Sequence, residues 1–155
     1  MPPAPRGPLR YLLLGAVTGG RSMTGPTAVA LTGAAPGPAG VRARRLIVAA
    51  AGAELVVDKL PGVPSRLTPP ALAARLILAG VSAAVLARRD GSRATVPVLL
   101  AASGAWAGSV AGARWRGWAS RRGFPPFAAA VLEDVAVIGT AAAVTRCDAP
   151  RRHLM

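Results

Sequence analysis

The sequence predicts an all-α integral membrane helical bundle, and three observations predict it. Hydrophobic residues make up 52% of the 155 residues and charged residues only 16%, where an average soluble domain carries about 25%. Sixteen of the nineteen Lys and Arg residues stand in the gaps between apolar stretches or in the tails; Arg10 stands at the edge of one, and only Arg21 and Arg75 lie inside. The stretch Pro126–Thr145 is twenty residues long and apolar except for Glu133 and Asp134. At about 1.5 Å per residue it matches a hydrocarbon layer of about 30 Å. Aromatics are 4%, so the apolar content is mostly small side chains. These bury little area in a soluble core but let helix backbones approach closely in lipid.

The net charge of +13 comes from eighteen Arg and one Lys against six acids. Cations gathered in the gaps between apolar runs are expected of loops that lie against anionic lipid headgroups. A nucleic-acid binder would instead interleave its basic stripe with aromatics and polar residues, so nucleic acid is the remotest partner. Cys147 and His153 are single, and one of each builds neither a disulfide framework nor a metal site. No cofactor or metal is expected, and no catalytic constellation is visible. Arg6 and Arg10 before YLLLGAV imitate a signal peptide, but no small-x-small site follows at the right distance, so retention is expected.

In chain order, residues 1–8 read as a Pro-rich tail, residues 9–146 as the membrane domain, and residues 147–155 as a polar basic tail. About five hydrophobic segments are expected, at least three of them full spans. The first runs from Leu9 to about Leu31. Gly19, Gly20, Gly25 and Pro26 interrupt it, which predicts a broken helix with Arg21 and Ser22 at the break. A loop and the basic run Arg42, Arg44, Arg45 follow. The second segment, Leu46–Asp58, is short, and a Pro-rich stiff turn comes after it. The third, Pro70–Ala87, holds Arg75 near its start, where the side chain would snorkel to headgroups. The fourth, Ala94–Ala113, is uncharged and runs into RWRGWASRR, where Trp115 and Trp118 have the setting of interface anchors. Pro126–Thr145 is the fifth. With five crossings the two faces would hold eight and nine cations, so the positive-inside rule would not orient the chain.

Gly104, Gly108 and Gly112 share one helix face, a small-xxx-small pattern for packing within the chain or in a homodimer. GAVTGGRS, Gly15–Ser22, imitates a phosphate loop, but Arg21 stands where lysine belongs, and a planar guanidinium does not replace that lysine. Asp58 reads as half of an interfacial pair with Lys59. Glu54, one turn deeper, would pair with Arg21 or Arg75. Glu133 and Asp134 read either as structural partners of an arginine or as a proton- or cation-handling site, since intramembrane acids are costly and mark function. Segments one and four each contain GAxxG, from Gly15 and Gly104, and segments two and five share A-A-A-x-x-E. Five crossings would make segments one and four an inverted repeat, a plan common among transporters.

AELVVDKLPGVPS (Ala53–Ser65), GFPPFAAAVLED (Gly123–Asp134) and GGRSMTGP (Gly19–Pro26) together resemble the bacterial membrane family known as domain of unknown function 4126. The resemblance runs from about Leu12 to Val144. It implies integral location in the cell membrane and carries over no activity and no site residue. The expected function is permeation of a small solute, ion or proton; the alternative is an accessory or scaffold protein acting through helix packing.

Overall fold

The computed structural model describes residues 7–33, 37–57 and 67–145. These are all-helical, in six helices: α1 (Pro8–Gly20), α2 (Thr24–Thr32), α3 (Gly37–Val57), α4 (Pro69–Arg89), α5 (Thr95–Arg121) and α6 (Pro126–Thr145). Three of them, α4, α5 and α6, are long and apolar enough to cross a membrane, fewer than the five segments expected. The N-terminal tail before Gly7, the Pro-rich turn, the Asp58–Lys59 pair, Cys147 and the C-terminal tail lie outside the described residues.

The break in the first segment is sharp. Arg21 is extended, with φ −143° and ψ 124°. Pro26 is the third residue of α2, where its missing N–H costs nothing, whereas a continuous helix would set its ring against the carbonyl four residues back. The chain then folds back on itself. A Cβ on Gly25 would overlap the Thr18 hydroxyl, although these residues would stand about 10 Å apart on one straight helix. At the open end of this hairpin, Tyr11 of α1 hydrogen-bonds Asp90 just after α4, and Val29 of α2 accepts from Arg89. At its closed end, Ser22 meets Arg75 of α4. Arg75 and Arg89 are fourteen residues, or about 21 Å, apart.

The remaining helices alternate in direction between these two ends. α4 begins beyond the hairpin tip and ends beside its open end; Gly91, at φ +67°, closes it in the left-handed conformation usual just past a helix end. α5 runs back alongside α1, and α6 returns. Three corrections to expectation concern boundaries. α3 starts at Gly37, so Arg42, Arg44 and Arg45 lie on the helix and not in a loop. α5 continues through the Trp115–Trp118 stretch to Arg121. Pro8, expected in the tail, opens α1.

The α1–α5 contact is the tightest in the bundle. A Cβ on Gly15 would overlap the Ala101 carbonyl, one on Gly19 the Ala105 carbonyl, one on Gly104 the Leu12 carbonyl, and one on Gly108 the Ala16 carbonyl. Two glycine-xxx-glycine faces therefore interlock backbone to backbone. Leu14, Ala79, Ala83, Leu86, Ala101 and Ala105 fill the core beside them. The contacts advance together along α1 and α5, so these helices run the same way, while α3 and α6 run opposite ways. Among the described residues, the helices that carry the first and fourth segments thus run the same way, where five crossings would set them in opposite directions.

Candidate functional site at the hairpin tip

Arg21, Ser22 and Met23 form the tip, and three helices converge on it. Arg21 is 3% exposed. Its guanidinium grips Asp134 of α6, with Nε at 2.6 Å from Oδ1 and a second nitrogen on the same oxygen. Glu54 of α3 accepts the N–H groups of Ser22 at 2.8 Å and Met23 at 2.9 Å, one on each carboxylate oxygen. Arg75, 5% exposed, donates through Nε to the Ser22 hydroxyl at 3.2 Å. Arg75 therefore turns into the bundle and does not snorkel outward. Arg21, Glu54, Asp134 and Arg75 all meet at the tip, from four different helices or turns. Glu133 accepts from Arg116 Nε of α5 at 2.9 Å.

The neighbours of α2 match its electrical polarity. Glu54 sits where the chain enters α2, and Arg44 donates to the carbonyls of Ala30, Leu31 and Gly33 where it leaves. Arg89 adds a bond to Val29. An anion at the start and cations at the end of a helix complement its dipole. The spacing follows from geometry: Arg44 and Glu54 are ten residues, about 15 Å, apart on α3, and α2 with nine residues is about 13.5 Å long. Arg44 thus answers carbonyls that a nine-residue helix would otherwise leave open. The sequence reading missed this role because the basic run was assigned to a loop.

A cleft of about 520 Å³ opens between α2, α3 and α6. Arg21, Glu54 and Thr24 lie at the tip; Leu31, Thr32 and Val48 lie toward the other end, and the lining is mainly apolar. The Thr27 hydroxyl, buried in this wall, has no hydrogen-bond partner. The cleft exists because α3 packs on α2 and scarcely touches the other helices. No group of His, Cys, Asp and Glu able to hold a metal occurs among the described residues.

Trp115 and Trp118 stack at 5.3 Å between ring centroids. Trp115 donates to the Ala129 carbonyl, tying α5 to α6, and Arg122 lies over the Trp118 ring. Gly112 lies farther along α5 and is half-buried. A second cluster was not foreseen: at the open end of the hairpin Asp90 pairs with Arg10 at 3.2 Å and accepts from the Tyr11 hydroxyl at 2.9 Å. Burial, and then that bond, raise the Tyr11 phenol above its ordinary range.

The chain matches no family model, no curated protein and no solved structure.

Proposed function

We propose that the chain is a small multi-pass protein of the bacterial cell membrane, akin to the domain of unknown function 4126 family, that lets a small solute permeate along the cleft beside α2. The observation that carries this reading is the folded-back hairpin. Its tip meets α4 and α5 about 21 Å from their Asp90 ends. If α4, α5 and α6 span, the tip stands inside the hydrocarbon layer, where irregular backbone is tolerated only when buried in protein or facing a cavity. Half-helices that end inside the membrane beside a cavity are how many transporters build their sites.

The same geometry supports a crossing count. α2 ends at one end of the bundle and α4 starts at the other, so α3 must carry the chain across. Four crossings follow, with α1 and α2 entering and leaving on one side. Along this path Arg10, Arg42, Arg44, Arg45, Arg88, Arg89 and Arg93 fall at the Asp90 end, and Arg114, Arg116, Arg121 and Arg122 at the other. Among the described residues, seven against four favours the Asp90 end as the cytoplasmic one.

The accessory reading is favoured by a specific observation too: Glu133 and Asp134 are each paired with an arginine, which accounts for them without transport. Solute release separates the two. Vesicles loaded with small fluorescent solutes of differing charge and polarity are compared with and without protein, and with Gly52→Phe. Gly52 lines the cleft and has open space where its side chain would stand, so phenylalanine fills the cleft without disturbing packing. Permeation predicts release that Gly52→Phe abolishes. Release no faster than from empty vesicles for every solute would leave the accessory reading in its place.

A further inference from the structure

We infer that the cleft seats one acyl chain of an anionic phospholipid, whose phosphate is held by Arg44 and Arg45 at the cleft mouth. The inference rests on the crossing order proposed above and not on permeation. The depth of the cleft comes first. Arg44 and Glu54 stand ten residues, about 15 Å, apart on α3. One leaflet of a hydrocarbon layer of about 30 Å is also about 15 Å deep. The cleft therefore runs from the headgroup level at the Asp90 end to the middle of the bilayer at the tip, which is the depth an acyl chain covers. It is also open to lipid. α2 forms its floor, packed on both α3 and α6, while α3 and α6 scarcely touch each other among the described residues. The gap between those two helices faces the bilayer.

The charges at the mouth choose the headgroup. Arg45 is three residues before Val48 and seven before Gly52, both of which line the cleft, so it lies on the same face of α3. Long side chains on a helix lean toward its N-terminus, here toward the headgroups. Arg44 spends Nε and one terminal nitrogen on the carbonyls that end α2. A guanidinium has five N–H donors, so its other terminal nitrogen remains for a phosphate oxygen. Of the acids among the described residues only Asp90 stands at this end, and Arg10 and Tyr11 already hold it. The mouth thus carries a positive excess, which attracts an anionic headgroup and gives a zwitterionic one no net attraction. At the inner end the polar groups are engaged within the protein: Glu54 accepts through both oxygens and Arg21 grips Asp134. The wall between, with Leu31, Val48, Ile138 and Ala141, is apolar along the path of the chain.

Native mass spectrometry of the full chain in detergent micelles tests this with phosphatidylglycerol and phosphatidylcholine carrying identical acyl chains. Phosphatidylglycerol is expected to bind saturably, at one per chain, and at least about tenfold tighter than phosphatidylcholine. Arg45→Gln is expected to weaken phosphatidylglycerol about fivefold and to leave phosphatidylcholine unchanged. Gly52 has open space where a side chain would stand, so Gly52→Phe is expected to abolish the saturable site with the unfolding temperature unchanged in the absence of lipid. Glycerophosphoglycerol, the same headgroup without acyl chains, is expected not to displace the lipid. Equal binding of the two lipids, phosphatidylglycerol binding untouched by Arg45→Gln or by Gly52→Phe, or displacement by the chainless headgroup would overturn the inference. Saturable phosphatidylglycerol binding without solute release would sink permeation and leave this site standing; solute release by a protein that binds the two lipids equally would do the reverse.

Discussion

Arg21 and Asp134 are the residues on which the tip depends, because both side chains are nearly sealed from their surroundings. Removing one member of a buried pair leaves the other charge uncompensated, typically at about 3–5 kcal/mol. Asp134→Asn is therefore expected to destabilise by about that amount, while Arg21→Met with Asp134→Leu is expected to cost clearly less than the sum of the single changes. Reversible unfolding in mixed micelles reads both; additive costs would mean that the pair is not coupled. Tyr11, the only tyrosine, offers an independent check at the open end of the hairpin. Its phenol is raised by burial and by the bond to Asp90. Its contribution to stability is full below the ordinary tyrosine value of about 10 and is lost as pH climbs through the raised value of the folded state. Tyrosinate absorbance is expected to appear at higher pH in the folded chain than after denaturation, and Asp90→Asn is expected to bring the two closer. Coincident titrations would refute the bond.

Among the elements, α1 and α5 act as a unit because glycine lets their backbones touch. Gly104→Ala would drive a methyl into the Leu12 carbonyl, which belongs to backbone and cannot rotate away. A cost of about 1–3 kcal/mol is expected, as for other overpacked interfaces. Gly139→Ala on α6 meets nothing and is expected to be neutral or to stabilise by about 0.5–1 kcal/mol, since alanine loses less chain entropy in a helix. Similar costs at the two sites, measured in the same micelles, would contradict the interlock. α2 makes the complementary point: a nine-residue helix is too short to persist by itself, and it is held at both ends by Glu54 and Arg44.

For the whole molecule, the proposed four crossings carry an orientation that five crossings would leave open. Among the described residues, five crossings would set five cations against six; four set seven against four. Reporters fused to each terminus are expected to place both ends in the cytoplasm. Changing Arg88, Arg89 and Arg93 to Gln leaves four against four and is expected to yield a mixed population. Ends on opposite sides would mean that α1 and α2 together cross, and the fold-back at Arg21 would be wrong.

Read residue by residue, the chain is already helical, its first segment already breaks at Arg21, and the apolar runs within α4, α5 and α6 are already visible, though five segments are expected and α5 runs on to Arg121. These are local matters: apolar run length, the position of Pro26 and the glycine doublet before Arg21 are readable residue by residue. The sequence also singled out Arg21, Arg75, Glu54, Glu133 and Asp134, because a charge inside an apolar run is visible without a fold. Their partners come from the packing of distant segments. Asp134 and Glu133 are neighbours in sequence yet stand about 100° apart around a helix, so one meets Arg21 and the other Arg116. The direction of α2 was equally out of reach, since a break permits either a kink or a reversal, and the choice falls to contacts between residues far apart in the chain: Gly25 with Thr18, Arg89 with Val29, Glu54 with Ser22. Gly15 and Gly19 were legible as a packing face only once Gly104 and Gly108 stood opposite them, because a small residue declares its purpose through what comes close to it.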